Sequence, residues 1–318
     1  MSDRAGGPLG VLLMAYGTPD RLEDVQAYYT HIRRGRPPEP DKLADLIARY
    51  QRVGGTTPLR SITFEQAEAL WKALSAAGVV ARVQVGMKHW RPTIAEAVRA
   101  LAAAGVRRAV GIVLAPHYSR LSVAQYIEYA EEERTRSSPD LRIAYVERWG
   151  LNPALLDALQ GRVRAALAGW DPHRTLVLFT AHSLPERIRE WGDPYEREVA
   201  DTASAIASAL GLPLWRVAWQ SAGATPEPWI GPDLVEVLRD AAAQSLCEQA
   251  LVCPVGFTAD HLEVLYDLDV EAADLAARLG IGFRRTRSLN DDPGLVTALR
   301  DEVMAAAARL DAQAGGAG

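Results

Sequence analysis

The stretch TLVLFTAHSLP, residues 175–185, is an apolar run that ends at a histidine and turns at a proline. Apolar residues without polar alternation, over the length of one strand, fit a strand buried on both faces, as in a parallel sheet covered by helices. The same plan stands at LGVLLMAYGTP, 9–19, where Tyr16 takes the place of His182 and Pro19 that of Pro185. VLAPHYS (113–119) and VCPVGFT (252–258) also carry an apolar run into a proline. The complete set of expected strands is 9–16, 81–87, 109–116, 141–147, 175–182, 216–220, 250–257 and 282–287. Between them lie helix-period segments such as EQAEALWKALSAAG (65–78) and TIAEAVRALAAAG (93–105). Strand–helix alternation of this kind predicts an α/β chain of two Rossmann-like domains, each a parallel sheet flanked by helices.

The 318 residues are enough for two domains, each with its own core. We divide them at 1–145 and 146–302, with a final helix, about 303–315, packing back on the first. MSDRAGG and AQAGGAG are expected to be frayed tails. Ligands of doubly wound sheets bind beyond the carboxyl ends of the strands. Tyr16, His117, His182 and the segment 256–263 all fall there.

Composition narrows the function. Net charge is −5, and the basic run RRGR at 33–36 is too short for a nucleic-acid patch, so nucleic acid is not the expected partner. There is no signal-peptide pattern and no apolar run long enough for a membrane span, so we expect a cytoplasmic protein. Cys247 and Cys253 are the only cysteines and lack CxxC spacing. No GxGxxG, GxxxxGK[ST], HExxH or GxSxG occurs, so neither a nucleotide cradle nor those hydrolase sites are present.

Three groups remain as candidates. His182, and by the same placement His117, is either a structural histidine bonding a loop or a neutral imidazole able to take a proton or a metal. DHLEVLYDLDVE, 260–271, puts Glu263, Asp267 and Glu271 on one face if the segment is helical. Such a column is either a solvated face or a row of carboxylates for a divalent cation or a proton relay. Asp260 with Glu263 reads as a capping box. YYTHIRRGRPPEP (28–40) and LIARYQRVGGTTPL (46–59) supply Arg33, Arg34, Arg36 and Arg49 beside tyrosines, a set suited to a flat anionic ligand or to a solvated helix end.

MAYGTP, YYTHIRRGRPPEP, VGGTTPL, GMKHW, VLAPHYS, AHSLPE, GDPY, WQSAGATPEPWIGPD and PVGFTADHLEVLYDLD together resemble the ferrochelatase family. They recur in family order from residue 11 to about 271. The version is similar to the compact bacterial type associated with coproporphyrin III rather than protoporphyrin IX. The resemblance implies the chelatase class II fold and a tetrapyrrole in the cleft between the domains. It also implies Fe²⁺ insertion with release of two protons, giving Fe-coproporphyrin (coproheme) in haem synthesis. It casts His182 and Glu263 as catalytic and metal-facing residues, and Tyr16 as an oxygen ligand from the opposite side. Arg33, Arg49, Thr57 and Tyr126 fall on positions that hold propionates or line the pocket. Asp267 and Glu271 fall on the acidic trail leading outward from Glu263. Two cysteines cannot supply the four that a [2Fe–2S] cluster takes in many relatives, so no resident cofactor is expected. The expected partners are coproporphyrin III and Fe²⁺, with transient contact to an iron donor or a downstream coproheme enzyme, and the chain is expected to be a monomer. A protoporphyrin IX ferrochelatase is the alternative, followed by a cobaltochelatase or a non-catalytic tetrapyrrole carrier.

Overall fold

The computed structural model describes residues 7–223 and 225–315. The first half runs β1 (Leu9–Ala15), α1 (Val25–Ile32), α2 (Pro40–Arg52), α3 (Leu59–Ala76), β2 (Ala81–Met87), α4 (Ile94–Ala103), β3 (Arg108–Val113), α5 (Val123–Ser137) and β4 (Arg142–Val146). The second half runs α6 (Pro153–Ala166), β5 (Thr175–His182), α7 (Tyr195–Leu210), β6 (Trp215–Gln220), α8 (Leu234–Ala243) and β7 (Gln249–Cys253). It continues with α9 (Leu262–Tyr266), α10 (Ala273–Leu279), β8 (Gly282–Arg285) and α11 (Pro293–Gly315).

All eight expected strands form, and every pairing is parallel. The order is β2-β1-β3-β4 in one sheet and β6-β5-β7-β8 in the other, so the two halves share one plan. The runs 109–116 and 250–257 stop early as strands, at Val113 and Cys253. Pro254 has no N–H to offer the ladder directly after Cys253, and Pro116 follows close behind Val113.

The central strands are buried almost throughout, and successive side chains face opposite layers. Leu9, Val11 and Leu13 of β1 and Val177, Phe179 and Ala181 of β5 belong to a single cluster that also holds Leu70 of α3, Leu159 of α6, Val199 of α7 and Leu299 of α11. Leu12 and Met14 turn the other way onto α4 and α5, and Leu176 and Leu178 onto α8, α9 and α10. The expectation of one core per domain therefore needs correcting. Each sheet has its own outer core, but the inner faces share a middle layer of helices, α3, α6, α7 and α11. The last helix begins at Pro293, ten residues before the expected start, and packs on α3, α6, β3 and β4 of the first sheet. Of the expected tails, residues 312–315 are helical, while 1–6 and 316–318 lie outside the described residues. The expected boundary at 145/146 falls on the last residue of β4.

The carboxyl ends of both sheets open on the same cleft. Gly256 shows how tightly the second half closes there. Its N–H donates to the Thr180 carbonyl at 3.1 Å. A Cβ at this position would stand 2.6 Å from Ala181 Cβ, so only glycine lets the turn after β7 lie on the end of β5. That approach brings the segment leading to Glu263 against His182.

Candidate active site

A cavity of about 360 Å³ lies between the halves. The first half lines it with Tyr16, His31, Arg34, Lys88, His89, His117 and Tyr126, and the second with His182, Tyr195, Gly256, His261 and Glu263. Of the residues singled out in the sequence, Tyr16, Tyr126, His117, His182 and Glu263 are thus brought together. Arg33, Arg49, Thr57, Asp267 and Glu271 are not among the lining residues.

His182 ends β5, and its ring is fixed on both sides. Nδ1–H donates to the Ser183 carbonyl, so Nε2 is the nitrogen left to work. Nε2 lies 3.5 Å from Glu263 Oε1, looser than a tight hydrogen bond. The Tyr195 hydroxyl donates to the His182 carbonyl at 2.9 Å. Glu263 Oε2 lies 3.5 Å from His261 Nε2. The Glu263 carbonyl accepts from Gln220 Nε2 at 3.1 Å, and Gln220 in turn accepts from Thr180 Oγ1 at 2.8 Å. Burial opposes charge on the imidazole, but the Glu263 carboxylate outweighs it and raises the His182 pKa to about 9. Burial likewise opposes ionisation of Glu263, and the two histidines overcome it, holding the carboxyl far below its usual range. The free site thus stores one proton on an imidazolium–carboxylate pair. About a third of each side chain still meets solvent through the cavity.

The acidic column is not one regular helix face. α9 ends at Tyr266, and a wider π-helical turn, Asp267–Ala272, follows before α10. Asp267 turns inward, where Ser221 Oγ–H donates to Oδ2 and Arg49 Nη1 stands 3.7 Å from Oδ1. Burial first, then the Glu263 charge, pushes the Asp267 pKa up to about 7, with Ser221 and Arg49 acting against them. Glu271 is exposed, one turn further out. The capping box is also corrected. His261 occupies the cap position without a side-chain bond, and the Asp260 carboxylate instead accepts from Ser288 Oγ at 2.7 Å and Asn290 Nδ2 at 3.0 Å. Asp260 has stronger partners across the fold than the α9 amides offer, and Glu263 is left free for the histidines.

The opposite wall is built on the first sheet. The Tyr16 ring meets His89 edge-on at 4.6 Å between centroids, and His89 Nδ1 is 3.1 Å from His31 Nδ1. Burial and the Glu263 charge both hold the Tyr16 phenol protonated. Thr57 is buried and bonds Thr18 Oγ1 at 2.9 Å, supporting the turn after Tyr16 rather than facing the cavity. Arg33 lies 3.8 Å from Glu39. Arg49 stacks on Tyr266 at 4.9 Å while it reaches Asp267. His117 sits on Thr202 Oγ1 at 2.9 Å, with burial pushing its pKa down to about 3, so it is neutral.

Sequence reasoning passed over Lys88, His89, His261 and Ser221. The strand-end rule that found His182 would have found the first two, which directly follow β2. Ser221 gave no such signal, because its role depends on the π turn that delivers Asp267 to it.

The stored proton can be tested directly. Glu263→Gln removes the charge that holds it, so burial gains the upper hand. The His182 pKa, followed by ¹⁵N NMR of the free protein, falls from about 9 toward or below the ordinary histidine value of about 6.5. A variant that still titrates near the wild-type value would contradict the pairing.

The ferrochelatase family model matches residues 8–307. A protein of Thermus thermophilus named Ferrochelatase is 45% identical, covering 94% of this chain and 99% of its own. Proteins named Coproporphyrin III ferrochelatase from Geobacillus kaustophilus and Bacillus subtilis are 41% and 40% identical, each covering 93% of this chain and 95% and 97% of their own. Among solved structures, SirB from Bacillus subtilis with Fe³⁺ aligns at a TM-score of 0.63 and 14% identity, covering 96% of this chain and 98% of that one, a likeness of fold alone. With family motifs, fold and cleft in agreement, the chain belongs to the ferrochelatase family, the metal-inserting enzymes of haem synthesis.

Proposed function

We propose that this enzyme is a coproporphyrin III ferrochelatase, inserting Fe²⁺ into coproporphyrin III to give coproheme and two protons. The observation that carries the reading is the His182–Glu263 pair, 3.5 Å apart on one wall of a cleft whose other wall presents Tyr16. The names of the Bacillus and Geobacillus relatives, at about 40% identity, favour the tetracarboxylate substrate. The Thermus relative, named only Ferrochelatase, keeps protoporphyrin IX as the second reading.

In this reading the macrocycle lies between the walls. Contacts along its rim draw on binding energy to pucker it and turn nitrogen lone pairs toward His182. Arg33 and Arg49 serve that rim, and Tyr126 bounds the pocket. Fe²⁺ accepts nitrogen and oxygen donors, so the gap between Nε2 and Oε1 can receive it once the stored proton leaves. With Nδ1 tied to Ser183, the neutral ring presents Nε2 to the iron or to a pyrrole proton. Glu263 neutralises the imidazolium that proton transfer creates. Asp267, poised near 7, can take up and give back a proton at physiological pH, and Glu271 lies between it and solvent. Tyr16 offers its phenol oxygen from the far side of the ring. We further propose that the enzyme acts as a monomer in the cytoplasm with no resident cofactor, meeting an iron donor or a downstream coproheme enzyme transiently.

Parallel anaerobic assays with Fe²⁺ test the substrate. The coproporphyrin III reading predicts kcat/KM at least about tenfold above that for protoporphyrin IX, which is a difference of ~1.4 kcal/mol; the reverse order would establish the second reading. The trail makes its own prediction. Glu263→Ala loses more than about a hundredfold in kcat, because an active-site acid/base partner is worth that much, whereas the exposed Glu271→Ala loses less than about tenfold. Equal losses would show that the two carboxylates do not act in series.

A further inference from the structure

Two cations in the cavity have no carboxylate. Lys88 follows β2 and is pinned beside β1 by its N–H donating to the Ala15 carbonyl at 2.9 Å. Its side chain is buried, yet Nζ donates to Gln125 Oε1 at 2.7 Å and faces the Tyr126 ring at 4.9 Å, both neutral. Among the described residues it makes no ion pair, and neither does Arg34, an exposed residue at the edge of the same cavity. Arg34 holds a left-handed backbone, φ 56°, where α1 gives way to the turn, a conformation uncommon for residues other than glycine. Burial and the nearby Arg34 charge lower the Lys88 pKa to about 8, with the Glu128 charge, beyond ion-pair distance, acting against them.

Burying the Lys88 ammonium beside a second cation costs energy unless something supplies the opposite charge. Arg33 and Arg49, the cations first expected to hold substrate carboxylates, already have acids at 3.8 and 3.7 Å, Glu39 and Asp267. Among the described residues, Lys88 and Arg34 have none at that distance. An ammonium has three donors, and Gln125 and the Tyr126 ring occupy two of them, leaving one for a ligand.

Coproporphyrin III carries propionates on both edges of the ring, whereas protoporphyrin IX carries them on one edge and apolar vinyl groups on the other. A dicarboxylate porphyrin can therefore place its anionic edge at the rim, with nothing anionic further in. A tetracarboxylate brings charge into the cavity as well. We propose that Lys88 and Arg34 form an inner carboxylate subsite that takes a propionate from the edge protoporphyrin IX leaves uncharged. The subsite sets specificity rather than chemistry, and it rests on the porphyrin reading above.

The test measures binding of metal-free coproporphyrin III and protoporphyrin IX, by fluorescence quenching, to the wild-type enzyme and to Lys88→Gln, Lys88→Arg and Arg34→Gln. Losing a charged hydrogen bond predicts a Kd for coproporphyrin III raised about 10- to 100-fold in Lys88→Gln, with Arg34→Gln moving the same way. The Kd for protoporphyrin IX should change less than about threefold, and Lys88→Arg should recover most of the loss, because it keeps the charge. Iron insertion by Lys88→Gln should lose kcat/KM far more than kcat. Equal weakening for both porphyrins, or a lower kcat at unchanged affinity, would overturn the subsite. Recovery in Lys88→Arg, with thermal unfolding followed by circular dichroism, separates lost charge from lost packing. A wild-type enzyme that bound neither porphyrin would defeat the functional reading itself.

Discussion

The structure around the cleft depends on one pair of opposed charges, His182 and Glu263, held apart far enough to admit a third party. They stand 3.5 Å apart on supports that are themselves anchored. Ser183 and Tyr195 fix the histidine, Gln220 fixes the Glu263 backbone, and Gly256 lets the turn between β7 and α9 press on β5. Two groups so placed can exchange a proton between them or release it to a cation. Such preorganisation is what distinguishes a reactive pair from a surface salt bridge, which would be worth little and hold nothing in place.

The cleft needs walls that keep their distance. The middle layer supplies this, because α3 and α11 pack on the first sheet, α6 and α7 on the second, and α11 packs on α6 in between. Polar ties add to it. The Tyr118 N–H donates to Glu198 at 2.8 Å, the Arg120 N–H to Asp193 at 2.7 Å and Thr258 Oγ1 to the Leu114 carbonyl at 3.1 Å, each crossing between the halves. The ring distortion proposed above would need such a frame, since a soft cleft would bend instead of the ring.

Much of this was legible in the sequence, for a physical reason. A strand buried on both faces leaves an unmistakable apolar run, so all eight strands and both strand-end residues, Tyr16 and His182, could be read directly. The partnership of His182 with Glu263 was legible too, because adjacent strands deliver their following residues to one place. Long-range geometry was less so. The acidic column assumed a helix of regular pitch, and the π turn at Asp267–Ala272 altered which carboxylates are buried. The capping box failed because Asp260 found Ser288 and Asn290, some thirty residues away in the chain, a competition that no local pattern reveals. The separate cores failed for the same reason: an unbroken apolar run tells that both faces of a strand are buried, not which helix covers them. Lys88 stood in a motif, GMKHW, whose significance was clear, but its lack of a carboxylate partner exists only in three dimensions.

The central claim is that the His182–Glu263 pair carries out insertion while the rest of the cleft binds the ring. It is tested most directly with His182→Ala, by measuring anaerobic Fe²⁺ insertion and porphyrin affinity on the same preparation. The account predicts that turnover is lost by at least about a thousandfold, as for removal of a central catalytic group, while the porphyrin Kd stays within about threefold of wild type. Insertion at near-normal rates by this variant would contradict it.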